Sequence, residues 1–463
     1  MNYFAILKIL RMYRRCIIFF LLSALLTRSF SQESFISGPM VGQVELRTAS
    51  IWIESPVNAK PQLRYWVKGS TGIVYYARIS SSPTAMLQGF NTVLFSLGGL
   101  EPQTTYEFQV VKVNDKTKPQ ADGQFTTKEL WQFRKPAPDF SFIAGSCSYM
   151  NQPPYDRPGK PYGGDSSIFD AMAKENSNFM LWLGDNWYTR EVDYGSTWGL
   201  WERAHRDRSR KVLQPLLKKM SNYAIWDDHD FGPNDMGKEF ILKDDSRNVF
   251  TSYWANPSYG ENGKGIYTKI SFSDADIFLL DDRTWRSNDN LSDSVDGKPN
   301  PNKKMFGDQQ IDWLKNSLSG SSATFKIIAM GGQALNPVSP FDCFRKFPIE
   351  YYDLLQFLKQ EKIKGVVFLT GDRHHSEIIR LNNILDYPLY DITVSPLTSG
   401  THKFGGPEIN NPYRVLGIDE KQNYGRISVS GKPKERKLTV EFLGIKGDKI
   451  AEWSVGQAEL MTK

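Results

Sequence analysis

The feature that most restricts the fold of this chain is an apolar segment that breaks directly into an acidic loop. Residues Phe179–Leu183 form an unbroken apolar run, and Gly184, Asp185 and Asn186 follow at once. A short apolar run that ends at a glycine is typical of a buried strand. An ionised carboxylate buried at the end of that strand is costly without a partner. We therefore expect Asp185 to face a cation or a set of hydrogen-bond donors.

Four more apolar segments in the second region of the chain end in the same way. Because ligands of α/β sheets bind outside the carboxyl ends of the strands, these polar groups are predicted to converge on one site. Any single aspartate also fits a turn or a helix cap, Cys147 also fits a small core residue, and Tyr188 also fits a packing aromatic. The four endings are Ser146-Cys147-Ser148, Asp227-Asp228-His229-Asp230, Asp281-Asp282-Arg283 and Gly371-Asp372-Arg373-His374-His375.

Carboxylates gathered in one crevice repel each other, and metal cations remove that repulsion. Oxygen ligands suit calcium or manganese, whereas a thiolate, a phenolate and an imidazole suit iron or zinc. The mixture predicts more than one metal ion, bridged by Asp185. Such a site clamps a phosphate ester and lowers the pKa of a bound water. Its charge and position make Arg283 a candidate for a bidentate phosphate clamp.

The hydrophobic pattern divides the chain into two regions. Residues 36–128 consist of short alternating segments, and the spacing of Leu100, Pro102 and Tyr106 is typical of an immunoglobulin-like β-sandwich with a tyrosine corner. Its role is either structural or the binding of a sugar or a cell surface. Residues 138–463 alternate apolar strands with helical segments, which predicts an α/β catalytic domain that ends in a β meander.

The first 31 residues are predicted to be a secretory signal peptide. Basic residues precede an apolar run from Cys16 to Leu26, and small and polar residues follow, up to a cleavage site after Ser31. An uncleaved anchor is the alternative, and Arg14-Arg15 leaves the choice between Sec and twin-arginine export open. We expect a secreted or periplasmic protein with no integral span after the signal is removed.

Charge gives no support for a nucleic-acid partner. The formal net charge is +6, but residues 1–31 hold five basic and no acidic residues, so the mature chain carries about +1.

Cys147 and Cys343 remain after cleavage and are able to form one disulfide bridge. Of the five histidines, His402 is expected at the rim of the cleft. His205 is expected on a surface helix, within a solvated Arg-rich stretch, RAHRDRSR.

Six motifs together resemble the PhoD-type alkaline phosphatases, which belong to the calcineurin-like metallophosphatases. The resemblance covers nearly the whole chain after the signal. It implies a four-layer α/β sandwich of two mixed sheets flanked by helices, preceded by the β-sandwich. It also implies an iron–calcium site (Fe³⁺ and Ca²⁺), with zinc or manganese as the less favoured alternatives. The motifs are GSCSY, LGDNWY, WDDHDFGPND, LDDRTWR, GDQQIDWLKNSLSGSSATFKIIAMGGQ and TGDRHHSE.

The resemblance assigns roles to individual positions. His229 would contact the substrate phosphate or assist the leaving group, and Asn186 and His375 would bind substrate. A Cys147 thiolate on iron would be unavailable for a disulfide with Cys343. Asp228 stands where the wider superfamily has asparagine, and the motif ends in aspartate where that superfamily has glutamate. The implied metal ligands are Cys147, Asp185, Tyr188, Asp228, Asp372 and His374.

The function that follows is that of an exported metal-dependent phosphoesterase. It would hydrolyse small phosphomonoesters, phosphodiesters or both by metal-activated water, for phosphate scavenging. One alternative is a phosphodiesterase of the phospholipase or teichoic-acid type. Another is a carbohydrate-binding or adhesion protein with a degenerate catalytic domain, although retention of the predicted ligands argues against degeneracy. The sequence makes no prediction about the oligomeric state.

Overall fold

The computed structural model describes residues 37–81 and 89–461. The predicted signal peptide, residues 1–31, lies outside the described residues. Within the described ranges, none of the helices combines the length and the apolar character that a membrane crossing requires.

The N-terminal region forms a β-sandwich of two antiparallel four-stranded sheets. Its strands are β1 Ser37–Val44, β2 Thr48–Pro56, β3 Pro61–Val67, β4 Tyr75–Tyr76, β5 Arg78–Ser81, β6 Phe90–Gly98, β7 Thr105–Lys112 and β8 Ala121–Thr126. One sheet has the order β1-β2-β6-β5 and the other β4-β3-β7-β8. Alternate side chains such as Ile51, Phe95 and Phe108 form a core of their own. The backbone N–H of Glu101 donates to the Tyr106 hydroxyl at 2.9 Å, as in a tyrosine corner.

The second region contains two mixed sheets and a separate two-stranded antiparallel hairpin, formed by its sixth and seventh strands. Its strands are β9 Phe140–Gly145, β10 Phe179–Leu183, β11 Ser221–Ile225, β12 Thr268–Phe272, β13 Ala275–Leu279, β14 Ser294–Val295, β15 Lys298–Pro299, β16 Phe325–Ala329, β17 Val366–Thr370, β18 Ser376–Leu381, β19 Leu389–Thr393, β20 Arg414–Ile418, β21 Asn423–Ser430, β22 Lys437–Gly444 and β23 Lys449–Gly456. The six-stranded sheet has the order β11-β10-β9-β21-β22-β23, and the seven-stranded sheet β12-β13-β16-β17-β19-β18-β20. The meander β21-β22-β23 extends the first sheet, as predicted.

Helices connect and cover the strands of the two sheets. They are α1 Ile168–Ala173, α2 Thr197–Arg208, α3 Gln214–Lys219, α4 Asp228–Phe231, α5 Lys243–Tyr253, α6 Gly307–Ser319 and α7 Pro348–Gln360. In α6 the buried side chains Ile311, Leu314 and Leu318 recur at helical spacing, so that one face of the helix joins the core. Two mixed sheets with flanking helices and an N-terminal β-sandwich confirm the predicted fold class.

The direction of the strands brings the predicted site together. Strands β9, β10 and β11 are parallel neighbours, so their carboxyl ends lie at one edge of the first sheet. Strands β13, β16, β17 and β19 are parallel in the second sheet. Gly371 marks the place where the two sheets meet, because a Cβ there would lie 2.6 Å from the Cβ of Ser146. A side chain at Gly371 would therefore force the two strand ends apart.

The β-sandwich packs tightly against the second region. Trp52 belongs to the large core of that region, and its indole N–H donates to the backbone oxygen of Ser252 at 2.7 Å. Glu54 is buried and accepts from the Tyr253 hydroxyl at 2.5 Å. The His205 ring lies 2.9 Å from Glu54 and stacks on Phe90.

These contacts correct two expectations about helix α2. His205 is not a surface residue, because the sandwich covers it. The RAHRDRSR stretch is not solvated either: the sandwich covers Arg208, and Arg203 is buried in an ion pair with Asp193 of the second region itself. Arg208 is fully buried, with its guanidinium 4.0 Å from the centre of the Trp254 ring and in contact with Met40. Burial lowers the pKa of Arg208 to about 9, against the opposing effect of Glu54.

We expect the His205–Glu54 pair to make the domain junction sensitive to pH. Burial lowers the pKa of His205, but the hydrogen bond and charge of Glu54, with a smaller contribution from Glu202, raise it above its usual value of 6.5 overall. A raised pKa in the folded state contributes stability that is fully present below the unfolded pKa, about 6.5, and is lost as pH rises through the folded pKa. We therefore expect the free energy of unfolding to fall as the pH rises from about 6.5 through the raised pKa of His205 in the folded protein.

The measurement is urea unfolding of the wild type and of His205→Gln at pH 5.5 and at pH 8.5. The difference between the two proteins should be larger at pH 5.5, because only the wild type gains from protonation. Lys437→Gln, at an exposed lysine that begins strand β22, is the control. An equal difference at both pH values would show that His205 and Glu54 do not couple.

Candidate metal centre

The backbone at the predicted site is held in an unusual conformation. Cys147, Asp185, Asp372 and His374 have φ values of 61°, 53°, 67° and 57°. Residues other than glycine rarely adopt this left-handed region, and such positions cluster at active sites. Each of the four follows the end of a parallel strand, so the strained turns re-aim these residues where the sheets meet.

One group of potential ligands consists of Cys147, Asp185 and His374. Their donor atoms lie within 4.8 Å of one another, and all three residues are buried. The Cys147 sulfur lies 3.7 Å from an oxygen of Asp185. Tyr188 completes this side of the centre, because its hydroxyl lies 3.1 Å from Nε2 of His374.

A second group consists of Asp185, Asp228 and His229, again with donor atoms within 4.8 Å of one another. Asp185 belongs to both groups, so one carboxylate lies between the two sets of donor atoms. The backbone N–H of Asp235 donates to Asp228 at 2.8 Å and orients it. Asp372 reaches the centre through its backbone oxygen, 3.4 Å from the Cys147 sulfur.

The electrostatics of these groups fit a cation. Burial, followed by the charges of Asp228, Asp230 and Asp372, raises the pKa of Asp185 well above its usual value. Burial also raises the pKa of Cys147 and of Tyr188. An adjacent metal ion reverses this effect and favours the ionised donors. The buried carboxylates, the thiol and the phenol therefore form a donor set that fits metal binding.

The surroundings of the two histidines of the centre favour the neutral imidazole. Burial, assisted by the charges of His402 and His229, lowers the pKa of His374 to about 3. Burial also lowers the pKa of His229, against the opposing charge of Asp228. Nδ1 of His229 is buried and has no hydrogen-bond partner among the described residues. Neutral imidazole is the form that binds metals.

Arg283 lies beneath the centre and not at its mouth. Its guanidinium is buried, bonds Asp227 through Nε at 2.7 Å and lies 3.3 Å from Asp342. It also lies 4.0 Å from Asp228. Arg283 therefore neutralises the charge of buried carboxylates. Its role as a phosphate clamp stays a prediction.

The predicted substrate-binding residues are also buried. The side chain of Asn186 donates to the backbone oxygen of Ile225 at 2.8 Å. His375 is 1% exposed, lies 3.4 Å from Glu377 and packs on Phe404, in a network apart from the two ligand groups. The structure brings Asn186 next to the centre through its neighbour Asp185, whereas His375 points away from it. Their contact with substrate stays a prediction.

Sequence reasoning missed two neighbours of the centre. The Ser395 hydroxyl lies 3.2 Å from the Cys147 sulfur, and the Tyr162 hydroxyl lies 2.8 Å from Nδ1 of His374. Ser395 closely follows strand β19, so the search for polar residues at strand ends could have identified it. Tyr162 lies in an irregular loop rich in proline and glycine, where no local pattern marks it.

The remaining sulfur and histidine predictions have clear outcomes. Cys147 and Cys343 are both free and buried, which confirms the absence of a disulfide between them. His402 is exposed, and its ring centre lies 4.6 Å from that of His374, as expected for the rim of the cleft.

Comparison with known proteins supports the same family. Residues 142–423 match the PhoD-like phosphatase family, and residues 32–130 match a family described as a domain of unknown function, DUF7800. Alkaline phosphatase D of Bacillus subtilis (strain 168) is 24% identical over 323 residues. That match covers 60% of this chain and 52% of the relative, so the chain spans about half the length of the curated relative.

A solved structure described as that of PhoD shares the fold. It superposes with a TM-score of 0.71 at 18% identity, covering 92% of this chain and 90% of that one. The family match at residues 142–423 extends over more than half of the chain and includes every predicted ligand. The chain therefore belongs to the PhoD-like phosphatase family.

Proposed function

We propose that this chain is a metal-dependent phosphoesterase that hydrolyses phosphomonoesters, phosphodiesters or both with water. The position of Asp185, within 4.8 Å of donors in two different groups, is the observation that carries the proposal. A carboxylate shared in this way suits two cations that act together on one phosphate. The family membership agrees with this chemistry.

The donor types suggest which cations these are. Cys147, Tyr188 and His374, with Asp185, would hold ferric iron, because thiolate and phenolate ligands suit that ion. Asp185 and Asp228 would hold calcium through oxygen ligands. Asp372 belongs to neither ligand group and contacts the Cys147 sulfur through its backbone oxygen, but its carboxyl lies near enough to Asp228 for the two charges to interact, so it would be a third calcium ligand. When bound, the cations neutralise phosphate oxygens and lower the pKa of a coordinated water.

His229 is the residue best placed to act on the substrate. Its ring centre lies 4.1 Å from that of Tyr188, and its Nε2 lies 3.9 Å from Asp228. Unlike its ligand neighbours, its side chain keeps 21% of its surface exposed. Because burial lowers its pKa, the ring is neutral in alkaline solution and offers one N–H. That N–H would donate to a phosphate oxygen or to the leaving oxygen.

The setting of this activity is also a proposal. The predicted signal peptide would place the mature enzyme outside the cytoplasm, secreted or periplasmic, where phosphate esters are scavenged. Phospholipid and teichoic-acid esters stay alternative substrates.

Asp185→Asn tests the function. Asparagine tolerates the left-handed backbone at this position, so the fold should survive. Loss of the bridging charge should lower turnover of p-nitrophenyl phosphate by at least about 100-fold, since even outer-shell changes at metal sites cost about 10- to 100-fold. Iron and calcium contents, measured by mass spectrometry, should fall with it. Asp308→Asn, at an exposed aspartate of helix α6, is the control. Near wild-type turnover and metal content in Asp185→Asn would refute the bridge.

Tyr188→Phe tests the iron assignment. The ring is buried and its volume nearly unchanged, so packing should persist. A ferric phenolate absorbs visible light by charge transfer, so the visible band should shift or weaken and iron content should fall. Tyr155→Phe, at an exposed tyrosine, is the control. Zinc in the purified wild type, or full iron with an unchanged spectrum in the variant, would exclude an iron-bound Tyr188.

Arg283→Met separates charge balance from substrate binding. Asp227 would be left buried and unpaired, which should reduce the free energy of unfolding by roughly 3–5 kcal/mol in urea with chelator present. The double variant Arg283→Met, Asp227→Asn removes both charges and should recover most of that loss. If Arg283 also clamps phosphate, kcat/KM of the double variant stays low. Full activity in the double variant would assign Arg283 to charge balance alone.

A further inference from the structure

A groove of about 900 Å³ opens beside the metal centre. We call it the Tyr162 groove, after the side chain that separates it from His374. Loops from distant parts of the chain form it, and its lining includes Lys160, Tyr162, Gly400, Lys421 and Lys446. Its volume lies within the range of small-molecule binding clefts, about 300–1,000 Å³.

Tyr162 connects this groove to the centre. Its hydroxyl lies 2.8 Å from Nδ1 of His374, whose other nitrogen faces Tyr188. The Tyr162 side chain is nevertheless 41% exposed. Its ring packs over Gly400, where a Cβ would lie 2.9 Å from the ring. One side chain therefore contacts a predicted metal ligand and also forms the wall of an open groove.

The groove favours an anion. The ammonium groups of Lys160, Lys421 and Lys446 have no hydrogen bond or ion pair with any described residue. Two carboxylates also line the groove, but Glu420 lies 3.8 Å from Lys403 and is partly neutralised by it. Asp448 is the second carboxylate of the groove. An ester whose alcohol part bears a second phosphate would supply the missing partner for the lysines.

We propose that the Tyr162 groove binds the leaving group of the phosphate ester and favours leaving groups that carry a second anionic group. This inference rests on the proposed phosphoesterase function. With the reacting phosphate at the metal centre, the alcohol part extends past the Tyr162 wall towards Lys421 and Lys446. Hydrolysis breaks the P–O bond to that alcohol, and water supplies the hydroxyl to phosphorus and a proton to the alcohol.

The test compares adenosine 5′-monophosphate with adenosine 3′,5′-bisphosphate, which differ by one phosphate. We expect the wild type to prefer the bisphosphate, measured as the ratio of the two kcat/KM values for release of the 5′-phosphate. The double variant Lys421→Ala, Lys446→Ala should lower that ratio about tenfold, the effect of two partly exposed charge contacts. Lys437→Ala is the control, because this exposed lysine begins strand β22, roughly 23 Å from the groove end at Gly444. It should leave the ratio unchanged.

The outcomes separate the groove from the function. An unchanged ratio in the double variant would overturn the groove assignment while leaving the phosphoesterase intact. If the wild type hydrolyses neither compound, nor the diester bis(p-nitrophenyl) phosphate, the proposed function fails. In that case calorimetric titration with adenosine 3′,5′-bisphosphate decides the groove: weaker binding to the double variant than to Lys437→Ala supports it, and equal binding overturns it. Tyr162→Phe tests the contact between Tyr162 and His374 separately from the lysines. Loss of the hydroxyl should reduce the metal content and slow the hydrolysis of both substrates equally.

Discussion

The repulsion among buried carboxylates at the meeting edge of the two sheets is the constraint on which this structure depends. Asp185, Asp227 and Asp228 lie in a small volume from which water is excluded, and each needs a positive partner. Arg283 supplies one such partner for Asp227. No described side chain does the same for Asp185, which instead faces a thiol and an imidazole. The fold thus divides its acids into a part that arginine neutralises and a part that fits metal ions.

The same edge explains the strained backbone. At the end of a parallel strand the backbone runs along the sheet, whereas the side chain of a metal ligand must point across the crevice. The left-handed turns at Cys147, Asp185 and Asp372 make that change of direction within one residue. Strain of this kind persists only when the surrounding packing determines it. The close approach at Gly371 and the buried strands on both sides provide that packing.

The β-sandwich is more than an appended domain. Trp52 enters the core of the second region, and Arg208 is buried between the two parts. This docking is one reason why the prediction for helix α2 was wrong. The polar composition of RAHRDRSR is typical of a solvated helix, but the sandwich covers His205 and Arg208, and Arg203 pairs with Asp193 inside the second region. The burial of Arg208 depends on the rings of Trp254 and Trp52, which lie 46 and 156 residues away in the chain, and a local pattern does not reveal them.

The sequence by itself determined the order of the strands and helices along the chain. Apolar runs, glycines and helical spacing predicted two regions, a β-sandwich and an α/β domain, and the polar strand ends predicted where Cys147, Asp185, Asp228 and His374 would meet. These predictions succeed because strand period and the alignment of parallel strands are short-range rules. Only the tertiary structure decided that Tyr162 bonds His374, and that Arg283 lies under the site. Those contacts join residues from separate loops and sheets, and their partners are set by how the layers pack, which no spacing in the chain encodes.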